Sequence, residues 1–490
     1  MSRFNKTQKN VPTATNLAGG EAYEESAELE LISILLTSFA REQFYRSADN
    51  ILKRIETLIS QLKDKKFAAK AAVFARTQFG MRSITHVVAG EIAKQVKGEQ
   101  WTRPFFDKVV YRADDITEIL AYYINKYGKP LPNSLKDGLA RAVNKFDGYQ
   151  LAKYAGNGKD LGMIDVFNLI HPKPNEKNVQ VFKDLMAGKL KNTETWEAKL
   201  SEAGKADSED EVADAKEQAW KELISEKKLG LFALLRNLRN IITQAPEMVD
   251  EACNQLTNEV AIKKSLILPF RFMTAIKEIE KVYSENTKLA TKVLKALNKA
   301  LDISVNNVPE LEGETLIALD VSGSMTSTNM GKNYTPAEIG ALFAAAIHKR
   351  NPENSVVLTF DDRATIKRID TDNTLTSIVK AIDFRGGGTD FNCIFDKIRE
   401  GKMKFDRIII LSDMQMNIGS VGNDGLKDYK KSSKINPSVF SFDLQGYGSL
   451  QFKGDKHYQL SGFSEKVFDV IKLLETDKNA LINSIYQLEL

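Results

Sequence analysis

The sequence is poor in the residues that build disulfide scaffolds and soft metal clusters. Among 490 residues there are two cysteines, Cys253 and Cys393, which lie far apart along the chain. Neither a disulfide framework nor a Cys-based zinc site fits this spacing. The histidines are also few and scattered, at His86, His171, His348 and His457. We therefore expect a protein of a reducing compartment, the cytoplasm, without a histidine-rich metal site.

Long apolar runs and a strong charge imbalance are missing as well. No apolar stretch reaches the roughly 18–20 residues that cross a bilayer. The first residues, MSRFNKTQKNVPTAT, lack the apolar core of a signal peptide. The net charge of +4 is only mildly basic, which permits a local nucleic-acid surface without requiring one. We expect no membrane association and a flexible start over residues 1–20.

Apolar residues at helical spacing fill the chain from about Ala22 to Ile303. Two of the clearest stripes lie in residues 51–62 and 116–127, and short turns with Gly, Pro or Asn separate such segments. Many amphipathic helices in series predict a helical-repeat array, because each hairpin must bury its stripe against a neighbour. We assign residues 21–310 to this module and no chemistry to the acidic stretch Ser201–Gln218.

The pattern changes after Glu314, where short β-rich runs alternate with helical segments. The runs are TLIALD (315–320), SVVLTF (355–360), RIIILSD (407–413) and SVFSFDL (438–444). Nearly continuous apolar strands separated by helices predict a parallel sheet that is covered on both faces. We therefore expect a doubly wound α/β domain over residues 311–490.

Oxygen-bearing side chains follow three segments of this α/β domain. Ligands of such domains bind at the carboxyl ends of the strands. Asp320 ends the first strand and begins a D-x-S-x-S pattern, in which Gly323 permits a tight bend. Two carboxylates, three hydroxyls and water can complete an octahedron around Mg²⁺ or another divalent cation. The candidate ligands are Asp320, Ser322, Ser324, Thr389 and Asp413.

Other interpretations of these residues are available. A strand-end Asp often caps the next helix, which is the role we expect for Asp390, and Asp361 with Asp362 is typical of a solvated turn. A dehalogenase-type phosphotransferase needs a second Asp at position 322, which is Ser. A P-loop needs a lysine that the GGGTD segment lacks. We expect no enzymatic activity, although metal-dependent phosphate-ester hydrolysis would revive the enzyme hypothesis.

The three segments together resemble the metal-ion-dependent adhesion site of von Willebrand factor A-type domains. The matching motifs are DVSGS, GGGTD and ILSD, which occur in the same order as in that family. The resemblance implies that the two serines and Thr389 contact the metal, and that the aspartates act directly or through water. It also leaves open a metal whose role is purely structural.

A basic segment lies within the helical module, at residues 129–174. In SLKDGLARAVNKF the apolar residues form one helical face, with Arg141 and Lys145 roughly opposite and Lys136 on the flank. Cations gathered over successive hairpins could follow a phosphate backbone, whereas any single one is commonly just solvated. Further positive charge lies upstream, at Arg76, Arg82, Arg103, Lys108 and Arg112.

Several stretches of the helical module resemble the TROVE module of the Ro autoantigen family. They are LPNSLKDGLARAVNKFDGYQLAKY, the HPKP segment after Asp165, LFALLRNLRNI and ILPFRFMTA. The resemblance covers residues 20–300, and an A-type domain is the second half of the same family. It implies a ring of HEAT-like hairpins closed by the A-type domain. It further implies Y RNA on an outer basic surface and single-stranded 3′ ends of misfolded RNA in a central hole.

The resemblance also implies residues and partners. Lys153 and His171 match positions implicated in Y RNA contact, and Lys136, Arg141 and Lys145 lie in the same basic segment. The chain departs from the family in one extra residue between Lys153 and His171 and in its acidic stretch. We expect a monomeric RNA-binding scaffold for RNA quality control, with an exoribonuclease such as polynucleotide phosphorylase as a partner. The alternative is a metal-dependent protein-binding adaptor.

Overall fold

The computed structural model of the chain describes most of its residues, in two compact units. The helical unit comprises Leu52–Asn307 and Ile485–Leu490, and the α/β unit comprises Met1–Ile51 and Val308–Ser484. The described residues are 12, 14–23, 26–37, 48–153, 161–190, 196–205, 208–265, 267, 269–281, 287–326, 335–445, 447, 449–454, 456–461, 471 and 480–490.

The helical unit is built from consecutive α-helices joined by short turns. Its first half holds α2 (Ala48–Gln61), α3 (Lys65–Gln78), α4 (Ser83–Gln95), α5 (Thr102–Val109), α6 (Ala113–Tyr127), α7 (Asn133–Val143), α8 (Gly148–Lys153), α9 (Met163–Ile170) and α10 (Val179–Met186). Its second half holds α11 (Trp196–Ala203), α12 (Glu209–Ser225), α13 (Leu231–Gln244), α14 (Val249–Leu256), α15 (Glu259–Ser265), α16 (Pro269–Lys281) and α17 (Thr287–Ser304).

The apolar stripes of these helices form the core of the helical unit. Ile116, Ile119 and Leu120 of α6 are fully buried, as are Leu135 and Leu139 of α7. Helices pack on partners near them in sequence, such as α3 on α4, α5 on α7 and α16 on α17. This arrangement confirms the predicted helical array, in which each stripe is buried against a neighbouring helix.

The acidic stretch Ser201–Gln218 includes the start of a helix. The hydroxyl of Ser208 accepts the N–H of Glu211 and so caps α12. Three acidic residues follow in the first turn of α12. Negative charge there is favourable because the helix dipole is positive at its N-terminus. Residues 206 and 207 lie outside the described part.

The α/β unit contains a six-stranded sheet in the order β5-β4-β3-β6-β7-β8. Neighbouring strands run parallel except β4 and β5, which are antiparallel. The strands are β3 (Thr315–Asp320), β4 (Ser355–Phe360), β5 (Ala364–Lys367), β6 (Arg407–Ser412), β7 (Ser438–Asp443) and β8 (His457–Ser461). The helices are α1 (Ala27–Thr37), α18 (Gly323–Thr326), α19 (Pro336–Arg350), α20 (Leu375–Lys380), α21 (Asn392–Glu400) and α22 (Asn423–Ser433), and α23 (Ala480–Gln487) follows near the end of the chain.

Helices cover both faces of this sheet. On one face, side chains such as Leu316 of β3 and Ile408 of β6 pack in one cluster with Phe395 of α21 and Leu426 of α22. On the opposite face α19 packs on β3 and β6, and a Cβ placed on its Gly340 would lie 2.6 Å from Leu319. The predicted doubly wound fold class is therefore confirmed.

Two strands of the sheet differ from the sequence prediction. The runs at 315–320, 355–360, 407–413 and 438–444 correspond to β3, β4, β6 and β7, which are almost entirely buried. The edge strands β5 and β8 were not predicted. β5 is half-buried along its length and returns antiparallel to β4 after a tight turn. Half-buried edges lack the continuous apolar run that marks a central strand.

The segment Asn16–Tyr23 packs on the α/β unit. β1 (Ala14–Thr15) pairs with β2 (Glu21–Ala22), and the N–H of Tyr23 donates to the carbonyl of Leu450 at 2.9 Å. The predicted flexible start covers residues 1–20, of which 1–11 and 13 lie outside the described residues. The described part of that start has fixed partners in the α/β unit, so it differs from a free tail.

Candidate metal centre and nucleic-acid interface

The first candidate ligand, Asp320, is completely buried at the end of β3. Its Oδ1 accepts the N–H of Ser322 at 2.9 Å, and its Oδ2 accepts the hydroxyl of Ser412 at 2.5 Å. Ser412 ends the neighbouring strand β6. Asp320 therefore closes its own loop and also ties the ends of two strands together.

The serine loop after β3 lies against the glycine-rich loop that carries Thr389. The Oγ atoms of Ser322 and Ser324 are 3.5 Å apart. The N–H of Gly323 donates to the carbonyl of Gly387 at 2.9 Å. A Cβ at Gly323 would lie 3.1 Å from the carbonyl oxygen of Gly386. Glycine at position 323 thus permits close approach of two loops, beyond the tight bend that the sequence suggested.

Thr389 is buried and bonded to the loop that follows Asp413. Its N–H donates to Oδ1 of Asn417 at 2.7 Å, and its carbonyl accepts the N–H groups of Asn417 and Ile418 at 3.2 Å each. Since that loop begins after Asp413, these bonds join the loop that carries Thr389 to the loop that follows Asp413. All five predicted ligands therefore lie on three loops that hydrogen-bond among themselves.

The second carboxylate, Asp413, is completely buried. Its Oδ1 accepts the N–H of Gln415 at 3.2 Å, whereas its Oδ2 has no hydrogen bond of normal geometry among the described residues. Burial and the charge of Asp320 both raise the pKa of Asp413 well above its usual range, although the nearby hydroxyl of Ser324 lowers it in part. Burial likewise raises the pKa of Asp320 to about 6.

These features fit a hard divalent cation. Two buried carboxylates that repel each other, and a buried oxygen without a donor, are compensated when a cation is bound between them. Hydroxyls and carboxylates are also the ligands that Mg²⁺ prefers. No group of three His, Cys, Asp or Glu side chains in the described part of the chain could hold a metal. A cation at the present site would therefore depend on the hydroxyls.

The location of the site follows from the topology of the sheet. After β3 the chain continues to β4 on one side, and later returns to β6 on the other side. In doubly wound sheets ligands bind where the strand order diverges in this way, at the carboxyl ends of the strands. Asp320 follows this rule at the end of β3, and Asp413 follows it immediately after β6.

The prediction for Asp361 as part of a solvated turn is wrong. Asp361 is 2% exposed, and it accepts two hydrogen bonds from Arg385, at 2.8 Å from Nε and 2.7 Å from Nη2. Its carbonyl accepts the N–H of Asp390. Burial raises the pKa of Asp361, but the Arg385 guanidinium outweighs it and holds that pKa below its usual value. Sequence reasoning missed Arg385, whose partner is distant along the chain.

Asp390 caps the start of α21 from one residue before the N-cap position, which Phe391 occupies without a side-chain bond. Oδ1 of Asp390 accepts the N–H of Asn392, the first residue of α21, at 2.9 Å. This geometry agrees with the role expected from the sequence.

The basic segment of the helical unit is centred on α7. Arg141 is exposed on the side of that helix roughly opposite the buried stripe, and Lys136 is half-buried on its flank. Neither side chain has a hydrogen-bond or ion-pair partner among the residues that the structure describes. Both cations are therefore available to an external anion.

His171 begins a segment that is fixed beside the end of α7. It is exposed and ends α9 in the left-handed region, with φ 48°. Two residues on, the carbonyl of Lys173 accepts Nδ2 of Asn144 at 2.8 Å, and Oδ1 of Asn144 accepts the N–H of Asn175 at 2.8 Å. Since Asn144 directly follows α7, the structure brings His171 and Lys173 towards the helix that presents Arg141.

The other two predicted RNA-contacting lysines differ in their surroundings. Lys145 is 3.1 Å from Asp107, and its Nζ donates to the carbonyl of Val110 at 2.8 Å. Its charge is therefore partly used within the unit. Lys153 is half-buried at the end of α8, and residues 154–160 after it lie outside the described part.

The upstream cations do not form a free basic path. Arg76 and Arg82 donate to buried Asp115 at 2.9 Å each. The remaining three also have internal partners: Arg112 with Asp114, Arg103 with Asp137, and Lys108 with the carbonyl of Glu489. Positive charge in this stretch therefore reflects internal ion pairs, which the sequence pattern could not distinguish from a phosphate-binding surface.

One basic face was missed by the sequence analysis. On α13 the exposed side chains are Phe232, Arg236, Arg239, Asn240 and Thr243. The helix has no acidic residue, and neither arginine has a partner within the described ranges. The helical spacing of these exposed residues is the sequence signal from which this face could have been predicted.

Comparison with known proteins decides the family. Residues 31–188 and 185–294 match the TROVE domain, which together cover more than half of the chain. The chain belongs to the TROVE family. Residues 314–474 match the Ro60 vWA domain. The recognition made from sequence, a TROVE module followed by a von Willebrand factor A-type domain, is confirmed.

Individual relatives of this TROVE protein are distant. RNA-binding protein RO60 of Caenorhabditis elegans is 24% identical over 271 residues, which are 52% of this chain and 42% of that protein. Telomerase protein component 1 of Rattus norvegicus is 21% identical over 350 residues, 53% of this chain and 13% of that protein. The alignments thus span less than half of the length of these two relatives.

A solved structure supports the fold. The crystal structure of the Deinococcus radiodurans Ro (Rsr) protein matches with a TM-score of 0.62 at 18% identity. The match covers 90% of this chain and 99% of that one. Within the described residues, no helix has the length and apolar character that crossing a membrane requires.

Proposed function

We propose that this TROVE protein is a non-enzymatic, RNA-binding ribonucleoprotein scaffold of the cytoplasm. The observation that supports this proposal is the basic face of α7, with Arg141 and Lys136 unpaired within the described residues and the segment after His171 bonded to Asn144 at the end of that helix. That face lies inside the TROVE match, and one relative is named an RNA-binding protein.

In more detail, we propose that two different surfaces bind two kinds of RNA. Y-type small RNA binds the outer basic surface, with Lys136, Arg141, Lys145, Lys153 and His171 as its contacts. Single-stranded 3′ ends of misfolded RNA enter a central hole. For those strands the exposed face of α13 offers an aromatic ring for stacking, Phe232, and two guanidinium groups for phosphates, Arg236 and Arg239.

In this function the protein acts by holding RNA for other factors. A monomer would present misfolded RNA for quality control, and an exoribonuclease such as polynucleotide phosphorylase would be recruited through the bound Y RNA. Cations that contact phosphates release counterions, so affinity should fall as salt rises.

Charge reversal on the basic face tests this proposal. Arg141→Glu and Lys153→Glu should each weaken binding of the co-purifying small RNA several-fold in gel shifts at fixed salt. Each lost phosphate contact should also reduce the slope of log affinity against log salt by about one.

The matched control is Lys205→Glu, which makes the same charge change at a side chain 71% exposed beside Glu202. It should leave affinity unchanged. Equal affinities for all variants and wild type would count against the α7 surface.

A second function is proposed for the α/β unit, as a metal-dependent adaptor. Its support is the buried Oδ2 of Asp413, which has no hydrogen bond of normal geometry among the described residues and lies near the Ser324 hydroxyl. Asp320, Ser322, Ser324, Thr389 and Asp413 would hold Mg²⁺. The bound cation would present a positive charge to which a carboxylate of a partner protein could bind.

A further inference from the structure

The segment Asn16–Tyr23, here called the N-terminal strap, is folded tightly around one side chain. Oδ1 of Asn16 accepts the N–H groups of Ala18 at 3.0 Å and Gly20 at 2.9 Å. Its Nδ2 donates to the carbonyl of Met416 at 2.7 Å. Asn16 is only 7% exposed, so one buried amide both shapes the strap and fixes it to the α/β unit.

Further hydrogen bonds join the strap to the same loop of the α/β unit. The N–H of Leu17 donates to Oε1 of Gln415 at 2.8 Å. Gln451 donates from Nε2 to the carbonyl of Glu21 at 3.2 Å and to that of Met414 at 3.4 Å. Met414, Gln415 and Met416 are all nearly or completely buried. The strap therefore hydrogen-bonds to Gln415 and Met416, and it shares the donor Gln451 with Met414.

Gly20 makes the closest approach of the two segments. A Cβ at this position would lie 2.0 Å from the carbonyl oxygen of Met416. Backbone meets backbone there, so no larger residue fits unless the strap moves. Replacing Gly20 by a larger residue should therefore displace the strap, and it leaves the amino-acid sequence of the loop unchanged.

The loop beneath the strap connects two of the candidate metal ligands. It begins directly after Asp413, and at its far end Asn417 and Ile418 donate to the carbonyl of Thr389. Between these ends, Met414 has φ 59°, in the left-handed region that a non-glycine residue adopts only with support from its surroundings. Gln451 donates both to the carbonyl of Met414 and to that of Glu21 in the strap, so the strap supports this backbone through Gln451, next to Asp413.

We propose that the N-terminal strap is a positioning element of the metal site. By fixing Met414–Met416 it sets the placement of Asp413 at one end of the loop and of Thr389 at the other. Affinity for a divalent cation then depends on a segment almost 400 residues away along the chain, as the Asn16–Met416 bond spans 400 positions. Release of the strap would loosen the site. The inference rests on the metal-dependent function proposed for the α/β unit.

Gly20→Ala in the full-length chain tests the inference, with Asn16→Ala as a second variant. Amide hydrogen exchange at residues 413–418 and 389 should become faster in both. Affinity for Mn²⁺, measured by titration calorimetry as a probe for the hard-cation site, should fall roughly tenfold, as for the loss of other residues that orient metal ligands. Leu17→Ala is the matched control, because its side chain is 45% exposed and only its backbone bonds to Gln415.

The possible results distinguish failure of the strap proposal from failure of the metal-dependent function proposed for the α/β unit. Tight Mn²⁺ binding by wild type and by both strap variants would overturn the inference, whether or not exchange becomes faster. Absence of Mn²⁺ binding by wild type would overturn the metal function first, and the inference with it. Weaker binding in Gly20→Ala and Asn16→Ala, with Leu17→Ala like wild type, would support both.

Discussion

Asp115 is the most heavily bonded carboxylate described in the helical unit, and it pairs with two of the upstream cations, Arg76 and Arg82. It is completely buried at the start of α6. Burial raises its pKa, but hydrogen bonds and charges from His86, Arg76 and Arg82 outweigh burial and hold that pKa well below its usual range. The remaining donors are the N–H groups of Tyr111 and Arg112, both at 2.9 Å.

Asp115→Asn should destabilise the helical unit by about 3–5 kcal/mol at pH 7, because it leaves buried cations without their counterion. A carboxylate with a depressed folded pKa stabilises the fold above its unfolded pKa of about 4, and that contribution is lost as pH falls further. The difference between variant and wild type should therefore shrink below about pH 4.

Urea unfolding followed by tryptophan fluorescence measures this effect, since Trp101, Trp196 and Trp220 all belong to the helical unit. The control is Asp137→Asn, which breaks an exposed pair with Arg103 and should cost less than about 1 kcal/mol. A similar, small loss for both variants at pH 7 would refute the central role of Asp115.

At the residue scale, the sequence predicts which loops meet at the edge of the sheet, but it does not predict ion pairs. Asp320, Ser322 and Asp413 follow recognisable buried strands, so their convergence could be predicted from strand order alone. The pairs Asp115–Arg76 and Asp361–Arg385 join residues that are distant in sequence. Charge patterns contain no information on such partners, and both were therefore missed.

At the element scale, the loop after β3 carries two of the proposed hydroxyl ligands, Ser322 and Ser324. Ser322→Ala removes one oxygen ligand while leaving the buried Asp320–Ser412 bond intact. We expect at least a tenfold loss of Mg²⁺ affinity in calorimetry, loss of partner capture and unchanged RNA binding. A purely structural metal would instead lower only the thermal stability when it is removed.

Ser432→Ala is the matched control, an exposed serine on α22 in the same unit. It should bind Mg²⁺ like wild type. Retention of Mg²⁺ affinity by Ser322→Ala would argue against hydroxyl ligation at this site.

The predictability of an element depends on how completely it is buried. The four central strands could be predicted because a strand that is buried on both faces has a nearly continuous apolar sequence. The edge strand β8 is HYQLS and the strap is NLAGGEAY, neither of which has an apolar run. Both are stabilised by backbone pairing and side-chain amides, which composition does not reveal.

At the scale of the whole molecule, the net charge of +4 does not distinguish two groups of cations, those paired within the protein and those without a partner among the described residues. Many cations of the helical unit neutralise acidic neighbours, whereas Lys136, Arg141, Arg236 and Arg239 have no partner in the described part of the chain. The sites proposed for the two units differ chemically, since one uses cations for phosphates and the other uses oxygen ligands for a metal. RNA binding and metal binding should therefore be separable by mutation.

Ultraviolet crosslinking of RNA to the intact protein in cells, followed by identification of the crosslinked peptides, tests the central claim most directly. We expect crosslinks to small RNA in residues 133–178, and to single-stranded RNA ends in α13 near Phe232. Arg141→Glu should remove most of the first set and leave the second. Crosslinks confined to residues 308–484, or none above background, would contradict the assignment of RNA binding to the helical unit.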